Sequence, residues 1–225
     1  MCVRLPDKQR ITEAFHVGKL PDGFVLPDWD YNVAPATFQP VIRNARETGE
    51  RELVLMRWGL VPHFPKFLAD FKGISTINAK AKTLMSSNTW RVPFQRRRCL
   101  VPADGFYEWK KLDPKTKQPY AFSMADGAPF AFAGLWDGWK EPDGGWLQSY
   151  SIITTTPNEL TATVHNRMPA ILEPKDYNRW LERVDGERPP IDLLRPFPAD
   201  EMVAKEANKD VGNVRNNRPE LLNSA

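Results

Sequence analysis

The chain has 225 residues, enough for one domain with a sizeable core, and its eight Trp and twelve Phe exclude a disordered polypeptide. Twenty-one prolines, a mean hydropathy of -0.50 and no apolar run near ~18 residues exclude a membrane-spanning helix, while two cysteines exclude a disulfide scaffold. The net charge of +3 is unevenly spread: residues 40–100 hold 12 basic against 4 acidic side chains, a local field suited to a polyanion such as nucleic acid.

In chain order, Met1-Cys2-Val3-Arg4 comes first. A small residue behind Met1 favours its removal, which leaves the amine and the thiol of Cys2 on one residue, both partly nucleophilic near neutral pH. Together they can capture an aldehyde, the amine as a Schiff base and the thiol by closing a five-membered thiazolidine ring; the four residues alone read more simply as a disordered terminus with an idle cysteine. The polar stretch 5–10 has no secretory h-region, so an intracellular protein with reduced thiols is expected. Residues 7–17 read as a short helix, with Asp7 near its start and Ile11, Ala14 and Phe15 on one side. Residues 18–30 read as loop, followed by Tyr31-Asn32-Val33-Ala34-Pro35, whose Val33 and Ala34 read as a buried strand end.

Two strands are predicted over 38–43 and 52–58, the second alternating Leu53, Leu55 and Arg57 against Val54, Met56 and Trp58. The chain then leaves the sheet through His63-Phe64-Pro65, which reads either as ordinary packing or as an apolar wedge that separates bases. Asn78 sits where a helix N-cap would, and Lys80 and Lys82 add charge. Arg91 and Arg96-Arg97-Arg98 form a second basic group leading into an apolar strand whose Cys99 reads as a core residue.

Glu108 stands among Phe106, Tyr107 and Trp109. Facing inward, it would have a raised pKa and exchange protons near neutrality; facing outward, it would be a solvated strand residue. Strands over 119–124 and 129–136 are joined by Ala125-Asp126-Gly127-Ala128, a hairpin signal, and 139–145 reads as a polar loop. A long strand over 147–155 precedes a helix over 157–164 with Thr156 as cap, which delivers His165-Asn166-Arg167. A helix over 174–184 presents Tyr177, Trp180 and Leu181, a strand covers 202–207, and 211–217 is a polar turn that folds back. His16 and His63 have no polar constellation nearby in the sequence. With strands outnumbering helices and adjoining as hairpins, the expected fold class is α+β: a curved, mostly antiparallel, barrel-like sheet with peripheral short helices. Residues 1–225 are expected to form a single domain whose last residues, about 215–225, are a flexible tail.

Through Met1-Cys2-x-Arg4, Tyr31-Asn32-Val33-Ala34-Pro35, Trp58-Gly59, Ile77-Asn78-Ala79, Ala103-Asp104-Gly105-Phe106-Tyr107-Glu108-Trp109, His165-Asn166-Arg167-Met168-Pro169 and Val211-Gly212-Asn213-Val214, the chain resembles the SRAP (SOS response-associated peptidase) family of abasic-site shielding proteins. The resemblance implies that Cys2, exposed as the new N-terminus, attacks the aldehyde of an abasic site in single-stranded DNA and forms a stable thiazolidine cross-link. It implies Asn78 as a positioning residue, Glu108 as the proton shuttle and His165 as the group that helps open the sugar. Arg4, Lys80 and Arg167 become phosphate contacts, and Phe64 and Pro65 the duplex-blocking wedge, with Pro35 a DNA-binding residue close by. The implied partners are single strands with abasic sites and single/double-strand junctions, with no cofactor and no metal, for a monomer in the cytoplasm or nucleoid. Weak abasic-site lyase and peptidase activities are implied alongside.

Three positions depart from the family's pattern: Val3 where Gly is usual, Lys80 where Arg is usual, and Lys82 where an acid is common. Val3 restricts the backbone beside the nucleophile, and Lys80 keeps the charge but loses the bidentate fork. Two readings compete from other classes. An N-terminal-nucleophile amidohydrolase would use the thiol on an amide and would release ammonia from glutamine. A non-covalent single-strand binder would use only the basic groove and the wedge.

Overall fold

Runs of β-branched and aromatic residues with an apolar side chain at nearly every position demand burial of both strand faces, and the fold supplies it. The structure, a computed structural model, describes residues 2–4, 8–18, 20–21, 23–26, 30–67, 75–183 and 188–223, with only the backbone of residues 2–4 and 8. In chain order the strands are β1 (Cys2–Arg4), β2 (Asp30–Val33), β3 (Phe38–Asn44), β4 (Arg51–Trp58), β5 (Asn78–Lys80), β6 (Arg98–Ala103), β7 (Gly105–Lys111), β8 (Lys117–Met124), β9 (Phe130–Lys140), β10 (Trp146–Thr155), β11 (Met168–Pro169), β12 (Ile171–Leu172) and β13 (Met202–Glu206). The helices are short: α1 (Lys8–Ala14), α2 (Arg91–Arg96), α3 (Glu159–Ala162) and α4 (Tyr177–Leu181).

The class is α+β, as expected. One sheet runs β13-β8-β7-β1-β2; the other runs β11-β10-β4-β3-β6-β9-β12, with β5 on β10. A further β10–β9 pairing closes the path β10-β4-β3-β6-β9 into a ring. Pairing is mostly antiparallel, the exceptions being β10 with β4 and with β5.

Alternation along the ring strands divides the apolar residues between two cores. Ile42, Leu53, Leu100, Ala133 and Ile153 join one cluster, where Phe15 just after α1, Phe94 of α2 and Trp180 of α4 cover the ring. Val41, Met56, Cys99, Val101, Phe132 and Ile152 face the other cluster, which Phe106 and Phe122 of the second sheet complete. The space there leaves no room beside Gly134: a Cβ would lie 2.7 Å from Cys99 Sγ and 2.8 Å from Val101 Cγ2. Gly134→Ala is therefore expected to cost roughly 1–3 kcal/mol of stability through overpacking, read as a lowered denaturation midpoint; an unchanged midpoint would mean that β6 and β9 separate freely.

Several local expectations change. The 125–128 segment is a turn, with Gly127 at φ 71, but it joins strands of different sheets. β8 pairs with β7 and β13, while the hairpin partner of β9 is β10, across Glu141–Gly145 in the stretch read as a loop. A turn signal specifies reversal of direction, and which strand is then paired is decided by burial. The cap of α3 is Asn158 instead of Thr156, its side chain accepting from Thr161 N. Residues 174–176 form a 3-10 turn before α4, whose Tyr177, Trp180 and Leu181 are buried as predicted. The N-terminal helix is Lys8–Ala14, and Asp7 and Val184, named at predicted helix ends, lie outside the described residues. A 3-10 turn at Pro219–Leu222 buries Leu221 completely.

Candidate functional site

Glu108 of β7 faces inward, partly covered at the seam between the two sheets, with His165 Nδ1 3.8 Å from its Oε2. Burial raises its pKa, and the charges of His165 and Arg167 and the hydrogen bond from the Trp109 N–H offset only part of that rise. The result is a carboxyl that holds a proton more readily than a solvated glutamate, next to an imidazole. His165 is delivered by α3, since its backbone N–H donates to Thr161 O at 2.9 Å. That turn is locked by Asn158, a buried side chain that accepts from Thr161 and donates to Phe197 O at 2.8 Å. His165 Nδ1 lies within 3.1–3.2 Å of the backbone O and N of Arg167, so the two side chains are set by one tight turn.

β10 acts as the rail for the remaining polar groups. Its Ile152 lies opposite Asn78 and its Thr154 opposite Lys80, while the Arg167 guanidinium donates to the Thr154 hydroxyl. Asn78 is thus the exposed first residue of a strand; the 3-10 turn after it is preceded by Lys80 and has no side-chain cap, which corrects the N-cap expectation. Parallel pairing to β10 outweighs the cap propensity of an asparagine because it satisfies backbone groups along the whole segment.

The backbone of Cys2 is paired on both sides, opposite Val33 of β2 and Phe106 of β7, two residues from Glu108. Val3 lies opposite Gly105, in an extended strand where glycine's freedom is not needed. Arg4 is opposite Asp30 across a register irregularity.

Pro35 is exposed in the turn after β2, where Ala36 has φ 70 and Ala36 N donates to Trp58 O. Trp58 in turn donates its indole N–H to Ile77 O, so it ties this turn to the residue before Asn78. Gly59 follows at φ 106, with Arg57 only 3.2 Å from where a Cβ would stand. Phe64 is 54% exposed, Pro65 is half-buried, and the two sit on a different loop from Pro35.

The basic stretch is only partly a surface field. Arg98 is buried and donates to the carbonyls of Phe94, Gln95, Trp180 and Glu182; Arg97 pairs with Asp137, and Arg43 with Glu52. Lys80, Lys82, Arg91 and Arg96 remain exposed. Cys99 is fully buried, and burial pushes its thiol pKa up, as suits a core residue. Among the described residues, no group of three or more His, Cys, Asp or Glu side chains converges as a metal site.

Sequence reasoning missed three supports: Thr154, Asn158 and Asn32. Asn32 is buried and its amide nitrogen lies 3.1 Å from each of the carbonyls of Val211, Asn213 and Asn216, joining β2 to the C-terminal turn. A polar residue inside an apolar strand was the visible signal for it. Asn32→Ala is expected to lower stability by about 1–3 kcal/mol, because buried carbonyls lose their donor. Chemical denaturation checks this, and an unchanged midpoint would mean that water replaces the amide.

A sequence profile described as SOS response associated peptidase (SRAP) matches residues 1–214. The abasic site processing protein YoqW of Bacillus subtilis is 41% identical over 217 residues, 95% of this chain and 94% of that protein. The mouse abasic site processing protein HMCES is 31% identical over 240 residues, 88% of this chain and 67% of that protein. A crystal structure of a Bacteroides thetaiotaomicron protein matches with a TM-score of 0.79 at 30% identity, over 89% of this chain and 87% of that one.

Proposed function

The chain belongs to the SRAP family, and we propose that it captures abasic sites in single-stranded DNA through the amine and thiol of Cys2. The observation that carries the reading is the Glu108–His165 pair, set two residues along β7 from the register position of Cys2. The names of the relatives, abasic site processing proteins, point the same way.

In this mechanism Met1 is removed first. His165 moves a proton between the hydroxyl and the ring oxygen of the abasic sugar, which opens it to the aldehyde. The Cys2 amine adds to the aldehyde carbon and gives a carbinolamine. Glu108 donates the proton with which the hydroxyl leaves as water, producing a protonated Schiff base. The thiol then releases its proton to Glu108, its sulfur bonds to the former aldehyde carbon, and the C=N electron pair moves onto nitrogen. The thiazolidine forms with the net loss of one water, and Glu108 returns to its starting state. Asn78 orients the opened sugar, and Arg4, Lys80 and Arg167 neutralise the flanking phosphates. Phe64 and Pro65 block an adjoining duplex, with Pro35 as a further DNA contact, which directs the protein to single strands and junctions.

The test is to incubate the purified chain with a single strand carrying one abasic site and resolve it on a denaturing gel. A shifted band without reductant is expected, with the mass of the chain lacking Met1 plus the DNA minus one water. No band overturns the proposal, and a band that appears only after borohydride overturns ring closure.

A further inference from the structure

His63 has a polar constellation that its sequence neighbours do not reveal. Asp137 of β9 is completely buried, and donors surround its carboxylate. Oδ2 lies 3.2 Å from the His63 backbone N and 3.0 Å from the His63 ring Nδ1. Oδ1 accepts from Gly138 N at 2.8 Å and from the Arg97 guanidinium. A charge this deep requires such partners, and Arg97 supplies the counter-charge. Because a carboxylate only accepts, Nδ1 is the protonated ring nitrogen, and the Nε2 edge of the half-exposed ring is turned away from Asp137.

The loop is held at alternate positions by one face of the β9–β10 hairpin. Val61 N donates to Ser149 Oγ at 2.7 Å, and Ser149 lies opposite Asp137 in the pairing. Two residues beyond Asp137, the Trp139 indole donates to Pro65 O at 2.7 Å. Residues 61, 63 and 65 are thereby fixed, while Phe64 between them is exposed and meets the His63 ring edge-on, at 5.8 Å and 83°. Along β10, Ser149 is three residues from the partner of Asn78 and five from that of Lys80, about 10 and 17 Å at strand spacing.

We infer that Asp137 is the positioning residue of a rigid strand-separating loop: it holds His63, and His63 aims Phe64 at the point where a duplex ends. This rests on the DNA reading above and deepens it, because the carboxylate sets where on DNA the protein binds and takes no part in bond formation. Removing the carboxylate leaves His63 without its acceptor, so Phe64 loses its backing while Pro65 stays tied to Trp139.

The test compares the affinity of the full chain for two undamaged DNAs by fluorescence anisotropy: a lone single strand, and the same strand annealed so that a duplex adjoins it. The wild type is expected to favour the junction. Asp137→Ala and His63→Ala are expected to lower the junction-to-strand affinity ratio about tenfold, within the range that one aromatic–base contact supplies. His63→Asn, which keeps a donor near the place of Nδ1, should restore most of it. A wild type without junction preference, or variants with an unchanged ratio, overturn the inference. If Asp137→Ala does not fold, the two His63 variants decide, since that ring is half-exposed. Adduct formation by the wild type on abasic DNA is scored separately, so failure of the chemistry and failure of the wedge give different results.

Discussion

Cys2→Ala is expected to form no reductant-independent adduct with abasic single-stranded DNA, the largest effect of any single substitution. The replacement keeps a small residue behind Met1 and an N-terminal amine, so a Schiff base still forms and is trapped by borohydride. The thiol needed for ring closure is gone. Cys99, the other thiol, cannot take its place, because it is fully enclosed between β3, β6 and β9 and burial holds it in the protonated form. The check is a pair of denaturing gels with and without borohydride. A stable band from Cys2→Ala without borohydride would move the nucleophile elsewhere and end the thiazolidine proposal.

Glu108→Gln should slow adduct formation by about 10²–10⁴, the usual contribution of a positioned acid–base group. Glutamine keeps the shape and a hydrogen-bonding capacity but cannot give and retake the proton that loss of water and closure of the ring require. The same substitution is expected to stabilise the fold at neutral pH. Burial raises the Glu108 pKa, so the native state keeps a proton over a pH window in which the unfolded chain has already released it. Native stability therefore falls as pH rises from the ordinary carboxylate range through the raised value, and this penalty is absent below that range. Denaturation of wild type and Glu108→Gln across pH should show the variant more stable at neutrality and the gap closing in acid. An unchanged adduct rate removes Glu108 from the mechanism, whereas an unchanged stability gap with pH would mean that the carboxyl is solvated.

The α+β class, most strands and the buried face of α4 were legible because burial periodicity is a local property. The alternation in β4 placed Leu53 and Met56 on opposite faces, and each entered a different core. Pairing was less legible. The Asp126-Gly127 turn looked like a hairpin, yet the strands on either side entered different sheets. Charge was the least legible property. Arg98 counted as part of a basic surface in the sequence, but it became an internal tie between α2, β6 and the end of α4.

What the amino-acid order determined by itself was the inventory: a cysteine behind Met1, an acid among aromatics, a histidine and arginine after a short helix, and enough apolar periodicity for a curved sheet. These depend on residue identity and on separations of a few positions. Tertiary structure alone decided which of them meet. Glu108 and His165 come from segments tens of residues apart, and the packing of α3 brings them side by side, while the parallel register of β5 on β10 sets Asn78 beside Ile152. Tertiary structure also decided that His63 is braced by a carboxylate 74 residues away. Long-range pairing is chosen by burial over the whole sheet, so no local window of the sequence carries that information.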